Sequence, residues 1–255
     1  MIPKPKRVVD VHFHYAWNVP DGAAHVERIL RLYPIDRIVG SCLVGGSFPT
    51  RADIRAANDL GLEAMQRFPG VYHSLCYLNA THGGTYCLSE LERCLDAGMV
   101  GVKLWVSQLA DDPSVDPIAG RCADLRLPML VHAWVKSSRQ GLRESMPEHV
   151  ARLSNRFPEA PIYMAHYGGD YEYGARALDA APNLRVDLSG SIAEYGMTER
   201  LLRYAGPERM LWGTDNMAYP FCLAKVTGAG LEGEAFEQVM WKNANRLFGF
   251  WPDEA

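Results

Sequence analysis

Residues 8–17 read VVDVHFHYAW. Strand side chains alternate between two faces, so Asp10, His12 and His14 share one face while Val9, Val11 and Phe13 take the other. The apolar face calls for burial. The other face sets two imidazoles side by side at the strand's tip, and the question is what chemistry wants them there.

Seven further apolar runs follow: RIVGSCLV (37–44), VYHSLCYL (71–78), VGVKLWV (100–106), PMLVHA (128–133), PIYMAHY (161–167), NLRVDLSG (183–190) and RMLWGTD (209–215). Their continuous hydrophobicity suits parallel strands buried on both faces. Between them lie segments with helical spacing, among them 51–68, 89–98, 147–157 and 234–250. Thr50 or Asp53 caps the start of the first, and Gly98 ends the second. Eight strands alternating with helices predict an α/β protein with a single (β/α)8 TIM barrel over residues 1–255. The alternative, an open doubly wound sheet, lacks a GxGxxG after the first strand.

With 255 residues, 48% of them hydrophobic, the chain can bury a sizeable core. Its net charge of −4 gives no electrostatic case for nucleic acid, and no basic block suggests a membrane surface. No apolar run approaches the roughly 18 residues that span a bilayer, and the N-terminus lacks a signal-peptide core. Six cysteines without a CxxC pair predict reduced, buried thiols and a cytoplasmic protein. The partner expected is a small molecule; the oligomeric state stays open, a homo-oligomer included.

Barrel active sites form where strands end. His12 and His14 end the first strand, His132 the fifth, His166 the sixth and Asp215 the eighth. Imidazoles and a carboxylate gathered around one pocket are a metal site in kind. His25, His73, His82 and His149 fall elsewhere and are read as structural.

These stretches resemble the amidohydrolase superfamily, in the branch of small metal-dependent hydrolases and aminocarboxymuconate-semialdehyde decarboxylase relatives. VDVHFH, GVKLW, PMLVHA, MAHYGG, VDLSG, LWGTD and WKNANRLFGF carry the resemblance from residue 8 to 250. It implies His12, His14, His132 and Asp215 as ligands of one divalent ion, zinc or in its place manganese. It also implies His166 as the proton-handling residue, with Asp215 accepting a proton from the attacking water. Lys103 stands near the lysine that bridges two ions in binuclear relatives; the reading preferred is a cation for an anionic substrate group or an inward-facing structural lysine.

For the substrate, Arg51, Trp105, Trp134 and Tyr167 follow or end strands on the catalytic side, as do Lys136, Arg139, Arg143, Trp17, Tyr195 and Tyr219. Such residues suit a small aromatic or unsaturated carboxylate, or a lactone, with an anionic substrate preferred. The activity expected is hydrolysis of an ester, lactone or amide by metal-activated water. The alternatives are non-oxidative decarboxylation on the same ligands and a non-catalytic binding barrel. The short chain tilts the reading towards hydrolase.

Overall fold

The computed structural model describes residues 4–16 and 21–252; Trp17 lies outside them. Among the described residues eight strands form, β1 (Val9–His14), β2 (Arg37–Ser41), β3 (Tyr72–Leu78), β4 (Gly101–Leu104), β5 (Met129–Val131), β6 (Ile162–Met164), β7 (Arg185–Asp187) and β8 (Met210–Leu211). Each predicted run contains one. They pair in parallel in the order β1 to β8. Val11 N–H donates to Trp212 O at 3.1 Å and Asp215 N–H to His12 O at 2.6 Å, so the chain after β8 returns to β1. The result is a nearly closed (β/α)8 barrel.

Helices α1 (Gly22–Leu32), α2 (Arg51–Arg67), α3 (Gly84–Asp96), α4 (Asp116–Leu125), α5 (Pro147–Arg156), α6 (Tyr171–Ala180), α7 (Met197–Ala205) and α8 (Tyr219–Thr227) follow the eight strands in turn. Thr50 and Asp53 both cap α2: Thr50 Oγ1 accepts from Asp53 N–H at 3.2 Å, and Asp53 Oδ2 accepts from Thr50 N–H at 2.8 Å. The segment expected as one helix over 234–250 is instead α9 (Gly233–Glu237), a π turn at Gln238–Lys242 and α10 (Asn243–Phe248). Val239 O accepts the Trp212 N–H at 3.0 Å, an outside donor inside the helical ladder, and the wider turn accommodates it.

Val9, Val11 and Phe13 are essentially inaccessible, packed in the cluster that joins barrel and helices. Burying each contributes about 1.5–3 kcal/mol. The outward face of β1 therefore anchors the strand and leaves its inward face for chemistry. The β1–β2 register shifts between Asp10 and Phe13, an irregularity at the residues that carry His12. All six cysteines are free and buried. Among the described residues no helix is long and apolar enough to cross a membrane.

Candidate metal centre

His12, His14 and Asp215 meet at the C-terminal end of the barrel. His12 Nε2 lies 3.3 Å from His14 Nε2 and 3.7 Å from Asp215 Oδ1, and His14 Nε2 lies 3.3 Å from that same oxygen. Ligands about 2.0–2.1 Å from a tetrahedral ion stand about 3.4 Å apart, so these atoms are spaced as vertices around one centre.

The tautomers support the same reading. His12 Nδ1 bonds Asp187 Oδ2 at 2.9 Å, and an ionised carboxylate only accepts, so the proton is on Nδ1. His14 Nδ1 lies 3.3 Å from the Ser41 carbonyl, which only accepts, and 3.2 Å from Ser41 Oγ, which can accept as well, so a proton on Nδ1 suits both. Both Nε2 atoms thus present lone pairs to each other and to a carboxylate. That arrangement calls for a cation and fits a divalent ion. Lys103, fully buried on β4, offers one: its Nζ lies 3.1 Å from His12 Nε2. Burial lowers the Lys103 pKa to about 8, while Asp215 and Asp187 pull it upward.

Backbone strain aims the ligands. Asp215 and Asn216 hold φ of 53° and 61°, and His166 and Tyr167 hold 55° and 43°, a left-handed region that costs residues other than glycine roughly 1–3 kcal/mol each. Hydrogen bonds hold these turns. Asn216 accepts from His14 N–H and donates to His14 O, both at 2.8 Å, and Asp187 Oδ1 accepts from His166 N–H at 3.0 Å. Gly190 is needed by contact, since a Cβ there would stand 3.0 Å from His166 Nδ1.

Asp187, at the end of β7, is the hub. Besides His12 and His166 it accepts from Ser189 N–H at 2.9 Å and Ser189 Oγ–H at 2.5 Å. Although burial opposes ionisation, His12, His166 and these donors hold its carboxyl well below the usual range. His12, His166 and Asp187 also group closely enough to bind an ion, but donated protons already occupy the Asp187 oxygens. Ser189 Oγ, having given its proton to Asp187, accepts from His166 Nδ1 at 2.9 Å. His166 Nε2 is left with a lone pair, and burial depresses the His166 pKa well below its ordinary value, so the ring is neutral. Asp10, behind His12, accepts from His12 N–H, Thr214 N–H and Thr214 Oγ1–H, and burial raises it to about 7.

His132 is not drawn into the group of His12, His14 and Asp215. Its Nε2 bonds Glu144 Oε1 at 3.0 Å, while Lys136 Nζ holds Glu144 Oε2 at 2.5 Å. The carboxylate fixes the proton on Nε2, leaving Nδ1 as the free lone pair. Trp134 packs edge-on against His166, with ring centres 5.2 Å apart. Trp105 and His132 line a cavity of about 800 Å³ with Phe48, Lys136, Arg139 and Arg143.

Other expected substrate residues stand apart from that cavity. Arg51 donates to His82 O and lies over the Tyr86 ring, and the Tyr167 hydroxyl donates to Ile192 O at 2.6 Å. Tyr195 is fully exposed, and Tyr219 stacks on Tyr33. Of the histidines read as structural, His82 bonds Pro49 O, His149 accepts the Met146 N–H, His25 stacks on Phe13, and His73 packs tilted against Phe250. Asp187, Ser189 and Glu144 escaped the sequence reading. Extending the strand-end rule to β7 would have found the first two.

The parallel barrel thus sets two histidines from its first strand and a carboxylate after its last where they could hold a metal ion. The chain belongs to the amidohydrolase family, whose model matches residues 50–250 and so includes His132, His166 and Asp215 but begins after His12 and His14. No curated protein matches. Among solved structures, 2,6-dihydroxybenzoate decarboxylase from Rhizobium aligns with a TM-score of 0.75 at 18% identity, covering 97% of this chain and 99% of that one. Dihydroxybenzoic acid decarboxylase from Polaromonas sp. JS666, solved with bound manganese and the inhibitor 2-nitroresorcinol, gives 0.73 at 17%, with 97% of each chain covered. For 5-carboxyvanillate decarboxylase from Sphingomonas paucimobilis the values are 0.70 and 16%, over 95% and 99%. At these identities the likeness is one of fold.

Proposed function

We propose that this protein is a metal-dependent, non-oxidative decarboxylase of a small aromatic or unsaturated carboxylate. The observation that carries the reading is the cavity beside His132, where Lys136, Arg139 and Arg143 meet the apolar walls of Phe48 and Trp105. Cations draw in a carboxylate, and flat apolar walls pack an unsaturated ring. Similarity in fold to three decarboxylases supports this over the hydrolase expected from chain length. An alignment that spans almost all of a decarboxylase chain leaves the length argument without force.

His12, His14 and Asp215 would hold the ion, with His132 joining through Nδ1. A bound divalent ion would supply Lewis acidity towards substrate oxygen. Arg139 and Arg143 would orient the carboxylate, and Trp105 and Trp134 would exclude water from the ring. In the reaction the bond to the carboxyl carbon breaks, CO2 leaves, and the electron pair left on the substrate carbon takes a proton. We assign the relay of that proton to His166, whose Nε2 lone pair first takes it from solvent and then delivers it to the carbon, with the Asp215 carboxylate, 3.8 Å from His166 Nδ1, stabilising the protonated ring.

The test is to follow CO2 release from hydroxylated benzoates beside ring opening of lactones, with elemental analysis of the purified protein. The expected result is CO2 release, about one equivalent of zinc or manganese per chain, and loss of activity with a chelator. Lactone opening without CO2 release would move the assignment to hydrolase.

A further inference from the structure

The inward face of β7 runs from one end of the barrel towards the other. Asp187 joins the candidate metal centre; Arg185, two residues earlier on the same face, lies towards the N-terminal end. A second cavity of about 420 Å³ opens there, lined by Arg126, Arg185, Arg209 and Arg246 together with Glu159 and Glu208.

Arg185 differs from the other partly buried arginines. Arg7 lies over the Trp251 ring, and Arg37 donates to Asp36 O. Arg93, Arg121 and Arg200 pair with Glu90, Glu92 and Glu172. Arg209 donates to a ring of backbone carbonyls that includes Ala205 and Leu178. Among the described residues Arg185 has neither a hydrogen-bond acceptor nor an ion-pair partner, and no acidic group offsets its burial. A guanidinium keeps its charge in proteins, so partial burial without a partner costs free energy that a bound anion would recover. The cation nearest in effect, Arg209, repels it.

The cavity's two carboxylates leave an excess of positive charge. Glu159 pairs with Arg126 at 3.4 Å, and Glu208 acts on Arg209. Arg246 gives one nitrogen to Asn243 Oδ1 and pairs with no carboxylate among the described residues. We propose that Arg185 and Arg246 form an oxyanion-binding site at the N-terminal end of the barrel, opposite the candidate metal centre. Its ligand is a small molecule bearing a phosphate or carboxylate, the groups a guanidinium fork matches in geometry.

Isothermal titration with inorganic phosphate and with succinate, at constant ionic strength set by chloride, tests this on wild type, Arg185→Gln and Arg246→Gln. Saturable binding to wild type is expected, weakened about tenfold or more in Arg185→Gln and measurably in Arg246→Gln. The anion that binds more tightly identifies the source chemistry. Equal affinity in wild type and both variants would place the anion elsewhere, at the metal centre or the cationic cavity beside it, and would overturn the site. Absence of saturable binding by either anion would do the same. If Arg185→Gln fails to fold, Arg246→Gln decides alone, and unchanged affinity there overturns the proposal.

Discussion

His12 donates its Nδ1 proton to Asp187 at 2.9 Å, and this bond decides which nitrogen faces His14 and Asp215. Without it the imidazole is free to protonate Nε2 instead and turn a donor towards the other ligands. Asp187→Asn keeps the volume and puts an amide there, whose nitrogen competes for the wrong tautomer. Metal affinity is expected to fall about 10- to 100-fold, the usual cost of losing such an orienting partner. Competition with a calibrated chelator measures it. Unchanged affinity would mean that the ring is held by packing alone.

The ligands should separate into two ranks. His12, His14 and Asp215 already stand at coordinating distances from one another, whereas His132 is held by Glu144. His12→Ala and His14→Ala are expected to abolish stoichiometric metal while the fold survives, because Val9, Val11 and Phe13 anchor β1 from its other face. His132→Ala should weaken binding less than either. Metal content after gel filtration, with circular dichroism as the check on folding, gives the ranking. A loss of metal in His132→Ala equal to that in His12→Ala would remove the distinction.

How much of this the sequence carried depends on what each element needed. The strands were legible because both their faces are buried and their apolar runs are continuous; even β8, reduced to Met210–Leu211, lies inside RMLWGTD. His12 and His14 were legible because polar residues at a buried strand's tip conflict with the core. The strand-end rule applied to β7 would have reached Asp187, but its partnership with His12 becomes legible only once the barrel brings β7 and β1 together. Glu144 lies in a loop whose path no periodicity reports, and only the fold brings it to His132. The break near Val239 arises from a bond to Trp212, which no local pattern encodes.

His166 separates one-ion from two-ion architectures. Its Nδ1 proton goes to Ser189 and its backbone N–H to Asp187, so the ring is positioned without any metal. His166→Ala is therefore expected to retain the wild-type metal content while kcat falls by about 10²–10⁴, the range for a positioned acid–base group. A fall in stoichiometry from two ions to one would instead make Lys103 the bridging residue and His166 a ligand.

Acid sensitivity gives a test away from the site. His73 packs tilted against Phe250, with ring centres 4.5 Å apart, and its Nε2 is buried without a partner. Burial, reinforced by Arg37, lowers its pKa to about 4, against about 6.5 unfolded. Between those values the unfolded chain binds the proton and the native chain does not, so stability rises with pH. The contribution is complete above about pH 6.5 and is lost as pH falls towards 4. Buried His12, also lowered to about 4, adds a slope of the same sign in metal-free protein, while Asp10, raised to about 7, opposes both. With His73→Phe the metal-free protein should keep on the order of 1 kcal/mol of the stability that wild type loses between pH 6.5 and 4.5, solvent screening at the partly exposed ring reducing the full effect of the shift. Urea unfolding at the two pH values measures the difference. Parallel losses in wild type and variant would show that His73 takes up its proton in the native state as readily as in the unfolded one.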